Sequence, residues 1–470
     1  MYEFTFQFEA GNSRHLYEQI YTYIKNEITE GKLLCGEKLP SSRSLAEYLQ
    51  VSRSTITLAY DQLLSEGYIE SRPYKGYFVC EISELQKIDF QKTVNEEATE
   101  PEQILMNMTN VNRIDFSPNA VDMRFFPFST WRKTMKRVLM DENRALFAMG
   151  HPQGEYALRR TITDYLHQSR GVVCTPEQIV IGAGNDYLLM LLGQMFPENI
   201  TVAMENPTYL RAYRMFSSFG WNMDTIAMDE WGMCVEEVND TDATLTYVMP
   251  SHQFPMGTVM PIGRRMELIK WAKEMPERYI IEDDYDSEFR FKGKPIPALA
   301  ANDAEKVIYI GSFSKSVAPA IRISFMVLPT RLLSRYRMQC GHLACTVSRI
   351  DQMMLQNFME SGSFSRYLNK MRKRYKEKHD LLLTELKPFL PYYDIQGTAA
   401  GLHILLKSKT GLPENILVEL ADKEGVIVYP LSENCRGEST AGNNTVLLGF
   451  GNLTNDEIIA GVNALKQAWL

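Results

Sequence analysis

Five short apolar runs, each stopping at a polar or glycine-bearing segment, constrain this chain more than any other feature. Ile179-Val180-Ile181 stops at Gly182-Ala183-Gly184-Asn185, and Thr201-Val202-Ala203-Met204 stops at Glu205-Asn206-Pro207. Thr246-Tyr247-Val248-Met249 runs into Pro250-Ser251-His252, Tyr279-Ile280-Ile281 into Glu282-Asp283-Asp284, and Val307-Ile308-Tyr309-Ile310 into Gly311-Ser312. Runs this short, separated by helix-length stretches, predict an α/β fold with strands buried on both faces of a mostly parallel sheet. Ligands in such sheets bind beyond the carboxyl ends of the strands, where the polar residues stand. The stretch 351–389 reads as charged helix, and 395–470 as a smaller α+β lobe.

The first eighty residues follow another rhythm. Leu16, Ile20, Ile24 and Ile28 recur at helical spacing, and Gly31 ends that helix. Pro40 and Ser41-Ser42 start a second helix from Arg43 to Leu49, serine being a side chain that caps free backbone N–H groups. Val51-Ser52-Arg53-Ser54 makes a turn and caps a third helix to about Glu66, which Gly67 ends. Tyr68-Ile69-Glu70 and Tyr77-Phe78-Val79 then flank Arg72-Pro73-Tyr74-Lys75-Gly76, a two-stranded wing.

At 470 residues the chain is too long for one compact core. The expected division is a unit over 12–80, an acidic linker over 81–110, and a large domain over 111–470. The linker segment holds seven acidic residues against two lysines. No apolar run reaches the roughly 20 residues that span a bilayer. The start lacks a secretory pattern, and the seven cysteines are scattered with no CxxC. Reduced thiols in a cytoplasm, with no metal site and no membrane partner, are the expectation. Net charge is −8, so any grip on nucleic acid must come from a local basic face.

The strand-end residues fit the needs of pyridoxal 5'-phosphate, a cofactor that requires an amine, a carboxylate for its ring nitrogen and donors for its phosphate. Ser312-Phe313-Ser314-Lys315 places the catalytic amine, Lys315, just after a strand, with Arg322 seven residues beyond. Asp283 faces the ring nitrogen in this reading, Tyr285 the ring hydroxyl, and Tyr209 the ring face. Asn185 and Asp186 open a helix whose free N–H groups attract a dianion. Ser312 and Arg322 complete the phosphate cup. A lone Ser-Lys pair is most often solvated surface, and Asp283-Asp284 alone a solvated strand end. The conjunction in consistent order carries the argument.

Asn206-Pro207-Thr208-Tyr209, Glu282-Asp283-Asp284-Tyr285 and Ser312-Phe313-Ser314-Lys315 resemble the fold-type I aminotransferase pattern. Leu39-Pro40-Ser41-Ser42-Arg43, Val51-Ser52-Arg53 and Glu66-Gly67-Tyr68 resemble the GntR-type winged helix-turn-helix. Together they are similar to the MocR subfamily of GntR regulators, over essentially the whole chain. The resemblance implies a transcription regulator that binds promoter DNA. It implies pyridoxal phosphate held as an aldimine at Lys315, and a response to a small amine or amino-acid-like effector. It also implies a domain-swapped, head-to-tail homodimer without steady turnover.

Departures from the pattern bear on the effector. In the GABA-sensing kind an arginine follows the Pro-Leu-Ser-like segment; here Tyr429-Pro430-Leu431-Ser432 is followed by Glu433, which repels a carboxylate. Arg436 and Arg211 are the candidate effector contacts instead. His252-Gln253-Phe254-Pro255-Met256-Gly257 lacks the asparagine of the usual aminotransferase motif, which weakens an enzymatic reading.

For DNA, the start of the third helix carries Ser52, Arg53, Ser54 and Thr55. Arg53 is placed to reach a guanine and the hydroxyls to reach phosphates. Arg43 opens the previous helix beside a phosphate, and Lys75-Gly76 at the wing tip enters the minor groove. Three other readings compete: a working aminotransferase with an accessory DNA-binding unit, a binding module whose cofactor site has lapsed, and a regulator that senses the cofactor itself.

Overall fold

A computed structural model describes residues 15–81, 113–291, 296–437 and 444–470, and the chain divides into two units, Met1–Thr109 and Asn110–Leu470. Apart from Glu81, the expected acidic linker lies outside the described residues.

The first unit holds three helices, α1 (Leu16–Thr29), α2 (Ser42–Leu49) and α3 (Arg53–Ser65), and a hairpin of β1 (Ile69–Arg72) and β2 (Gly76–Val79). Ile20, Ile24 and Ile28 lie on one face of α1 and are buried; Leu16, which opens that stripe, stays exposed. The Ser41 side chain accepts from the Ser44 N–H and starts α2, and Ser52 accepts from Thr55 N–H and starts α3. Ile56, Ala59, Tyr60 and Leu63 of α3 are fully buried against α1 and α2. Each large apolar side chain removed from water in this way contributes about 1.5–3 kcal/mol. Tyr60 also donates its hydroxyl to the Pro40 carbonyl at 2.9 Å, tying α3 to the entry of α2.

The second unit is built on an eight-stranded sheet. Its strands are β3 (Ile179–Gly182), β4 (Thr201–Asn206), β5 (Asn222–Asp229), β6 (Gly232–Met233), β7 (Leu245–Val248), β8 (Tyr279–Asp284), β9 (Val307–Ser312) and β10 (Ser324–Val327). They lie in the order β3-β10-β9-β8-β7-β4-β5-β6. The neighbours from β9 through β5 pair in parallel, whereas β10 runs antiparallel between β9 and β3, and β6 folds back antiparallel on β5. All five apolar runs are strands. The sequence reading had no counterpart for β5 or β10. Strand β5 has exposed as well as buried positions, so it lacks a continuous apolar run.

The second unit also carries a four-stranded antiparallel sheet formed by Tyr393–Gln396, His403–Ser408, Thr445–Gly449 and Tyr429–Pro430. The early segment Ile114–Asp115 pairs in parallel with Val426–Ile427. This segment then runs so close to the later strand that a Cβ on Gly449 would meet the Ser117 carbonyl oxygen at 2.0 Å. A buried ion pair, Lys378 Nζ to Asp122 Oδ2 at 2.7 Å, fastens the same segment to the long helix Ser363–Glu385. Among the described residues, no helix is long and apolar enough to cross a membrane.

Candidate functional site

The carboxyl ends of β8 and β9 and the start of helix α4 (Asn185–Met195) surround a cavity of about 260 Å³. Lys315 reaches it from the turn after β9. Its side chain is one-tenth exposed and its nitrogen buried; Nζ lies 4.5 Å from the Tyr285 ring centre and 4.0 Å from Asp286 Oδ2, and has no hydrogen-bond partner. Burial pulls its pKa below the ordinary lysine value, against the pull of Asp286 and Asp283. A buried, unpartnered amine that sheds its proton readily is a nucleophile.

Asp283 is the penultimate residue of β8 and is buried. Burial lifts its carboxyl to about 6, opposed by the hydroxyl of Tyr247 and the amide of Asn185 at 3.1 Å, both of which donate to it. A cationic N–H placed opposite would restore its charge. Tyr209 stands edge-to-face on Phe254, ring centres 6.1 Å apart, and burial raises its hydroxyl to about 12.

On another side of the cavity Arg322 adopts a left-handed backbone with φ of 49°. Its guanidinium donates to the Ala183 carbonyl at 3.1 Å and lies 3.5 Å from Asp186 Oδ2. Ser312 accepts from Ser324 Oγ at 3.0 Å and donates to Ser314 Oγ at 3.0 Å. These hydroxyls, the guanidinium and the free N–H groups at the start of α4 form an anion-binding set. The unpartnered amine, the buried carboxylate and this cradle fit the amine-, ring- and phosphate-binding needs of pyridoxal phosphate.

Sequence reasoning missed a buried chain beneath Lys315. His252 Nδ1 lies 3.0 Å from Asp286 Oδ2 and 2.9 Å from the Tyr285 hydroxyl. Tyr285 is therefore held by His252 as well as facing the cavity. Burial pushes the Asp286 carboxyl up, but His252 and Lys315 outweigh it and hold the carboxyl below its ordinary value. The signal was present in His252 and in Asp286, which follows Tyr285, but their spacing of 34 residues hides the contact.

Arg211, Asn119 and Phe254 line the same cavity. Asn119 had no role in the sequence reading; it arrives on the early segment that packs on Gly449. Arg436 is placed elsewhere. Its guanidinium stacks on Tyr213 at 5.2 Å and donates to the Cys435 carbonyl, while its backbone N–H donates to Asn206 Oδ1 at 2.9 Å. Neither Arg436 nor Glu433 is among the residues that line the cavity.

In the first unit Arg43, Arg53, Ser54, Lys75 and Ser52 are exposed, and Thr55 and Gly76 half-buried. Among the described residues no carboxylate pairs with Arg43, Arg53 or Lys75, so their charges face solvent. Ser52 is occupied as the α3 cap and lies 2.7 Å from Ser54 Oγ and 2.8 Å from Thr55 Oγ1. The hydroxyls thus form one local cluster rather than three separate probes.

Residues 16–79 match the family described as bacterial regulatory proteins, gntR family, and residues 112–437 match aminotransferase class I and II. The chain is 41% identical to the uncharacterized HTH-type transcriptional regulator YdeL of Bacillus subtilis, covering 97% of this chain and 96% of the relative. It is 30% identical to the probable rhizopine catabolism regulatory protein MocR of Rhizobium meliloti, over 97% of this chain and 94% of that one. It is also 30% identical to the HTH-type pyridoxine biosynthesis transcriptional regulator PdxR of Corynebacterium glutamicum, over 94% and 93%. Among solved structures, a multiple substrate aminotransferase from Thermococcus profundus shares the fold at a TM-score of 0.70 and 23% identity, covering 80% of this chain and 96% of that one. The chain belongs to the GntR-family, MocR-type HTH transcription regulators, which join a DNA-binding domain to an aminotransferase-like domain.

Proposed function

We propose that this regulator holds pyridoxal phosphate at Lys315 and changes its grip on promoter DNA when a small amine or amino-acid-like effector enters the same cavity. The observation that carries this reading is the buried Lys315 amine without a hydrogen-bond partner, set beside a buried carboxylate and an anion cradle. When bound, the cofactor supplies an aldehyde that Lys315 holds covalently and that a competing amine can take over. Asp283 keeps the ring nitrogen protonated, and its bonds from Tyr247 and Asn185 hold it in place. Arg322, Ser312 and the start of α4, with Asn185 and Asp186, seat the phosphate. Tyr209 and Tyr285 flank the ring, and His252 orients Tyr285. Arg211 receives an acidic group on the effector.

In the first unit, Arg53 reads a base edge from the start of α3, while Arg43 and Lys75 contact phosphates. The segment over 81–110 serves as the linker that lets two chains exchange DNA-binding units in a homodimer. The aminotransferase-like domain senses rather than turns over. The absence of the aminotransferase Asn-Pro-Thr-Gly asparagine, with Phe254 before Pro255-Met256-Gly257, supports this, as do relatives named as regulators.

The test is reduction of the purified chain with borohydride after incubation with pyridoxal phosphate, followed by peptide mapping. A tag on the peptide around residue 315, absent in Lys315→Ala, is expected; a colourless, untagged chain overturns the cofactor assignment. Steady turnover of an amino donor and a 2-oxo acid overturns the sensing role.

A further inference from the structure

Strands β1 and β2 are joined through Pro73, Tyr74 and Lys75, and the Lys75 N–H donates to the Arg72 carbonyl at 3.0 Å. That bond defines a four-residue turn with Pro73 second and Tyr74 third. Tyr74 has a φ of 60°. Because proline keeps its own φ negative, the turn is of type II, whose third position belongs to glycine or asparagine. A tyrosine there is strained.

Nothing among the described residues of the unit compensates for the strain. The Tyr74 side chain is fully exposed, with 109% relative accessibility, and its ring and hydroxyl make no contact among the described residues. The hairpin is anchored at its base by buried Ile69 and Val79 instead. The other described non-glycine residues with positive φ are Gln50, Asn199 and Arg322. Gln50 caps α2, Asn199 is a residue type that tolerates this backbone, and Arg322 aims its guanidinium into the cofactor cradle. Tyr74 therefore stands with Arg322 as a bulky side chain held out by a costly backbone.

The surroundings name the partner. Arg72-Pro73-Tyr74-Lys75-Gly76 carries two cations and no acid, in a chain of net charge −8. Arg72 folds back, stacking on Phe78 at 4.5 Å and pairing with Glu70, whereas Lys75 faces solvent. An extended phenol beside an unpaired ammonium suits a polyanionic backbone better than an apolar protein surface.

We propose that Tyr74 is a DNA-backbone contact, its ring packing on a deoxyribose at the edge of the minor groove and its hydroxyl donating to a phosphate oxygen. Such a contact fixes position on the duplex without reading sequence. The proposal rests on the DNA-binding reading and adds a residue whose role is affinity rather than preference.

The test uses the full chain and two duplexes, one recovered by the chain from a random-sequence library and one of the same composition scrambled. Tyr74→Gly and Tyr74→Asn both suit the turn better than tyrosine, so the wing keeps its fold. Each is expected to bind both duplexes about tenfold more weakly, leaving the ratio between them unchanged. The slope of log affinity against log salt stays as in the unsubstituted chain, because no charge is removed, while Lys75→Ala lowers it by about 1. Unchanged affinity for both duplexes overturns the proposal, as does a loss confined to the selected duplex. Unchanged DNA affinity with a shifted monomer–dimer balance assigns Tyr74 to a protein contact and overturns it too. If the unsubstituted chain recovers no duplex at all, the underlying DNA-binding reading fails. If it does recover one, and Arg53→Ala weakens binding while both Tyr74 variants do not, only the present proposal fails.

Discussion

The guanidinium of Arg322 fills the space that any side chain on residue 184 would need: a Cβ built on Gly184 would lie 2.2 Å from Arg322 Nη2. Gly184 also has a φ of +96°, a conformation that L side chains rarely adopt. The glycine before α4 and the arginine after β9 thus form one device on the anion-binding side of the cavity.

Gly184→Ala is therefore expected to displace Arg322 and weaken pyridoxal phosphate binding about tenfold or more, as Arg322→Ala does. The double variant should lose little beyond either single change, because both act on one contact. Titration of the cofactor absorbance in the three variants checks this; additive losses would separate the two residues.

Glu205 makes the stability of the large domain pH-dependent. It is fully buried, one carboxyl oxygen lacks a hydrogen-bond partner, and burial raises its pKa from 4.5 to about 8. Between those values the folded chain holds a proton that the unfolded chain has released, so stability falls as pH rises from about 4.5 to 8. Glu205→Gln should be more stable than the natural chain at pH 8 and lose that advantage at pH 4. Urea midpoints at the two values measure it, and equal differences at both would refute the assignment.

The pair of Lys378 and Asp122 is buried on both sides, with side chains 6% and 1% exposed. Lys378→Met leaves Asp122 paired with Arg124 and should cost about 1.5–3 kcal/mol, because a charge-assisted hydrogen bond to a buried carboxylate is lost. Asp122→Asn combined with Lys378→Met should recover part of that loss in the same denaturation experiment.

Arg53 at the start of α3 faces solvent with no carboxylate beside it among the described residues. Arg53→Ala should weaken binding to a selected duplex by about 1–3 kcal/mol and relax one base preference. Unchanged affinity and selectivity, measured by competition against single-base variants, would remove Arg53 from the base-reading role.

Much of the scaffold was legible along the chain because local patterns specify local structure. Continuous apolar runs became β3, β4, β7, β8 and β9, since a strand covered on both faces admits no polar alternation. Ser41 and Ser52 capped helices because their oxygens satisfy first-turn N–H groups. Lys315, Asp283, Tyr285, Tyr209, Ser312, Arg322, Asn185 and Asp186 stand around one cavity because parallel strands deliver their carboxyl ends to one edge of the sheet.

What the amino-acid order determined by itself, then, was the set of strands, helices and caps and the edge of the sheet where polar groups gather. Only the tertiary structure decided that His252 holds Asp286 and Tyr285, that Asn119 enters the cavity on a segment locked by Gly449, and that Arg436 turns away onto Tyr213. Those contacts join residues tens to hundreds of positions apart. Hydrophobic periodicity reports only which face of its own element a residue occupies, whereas its partner is chosen when separate elements pack and exclude water together.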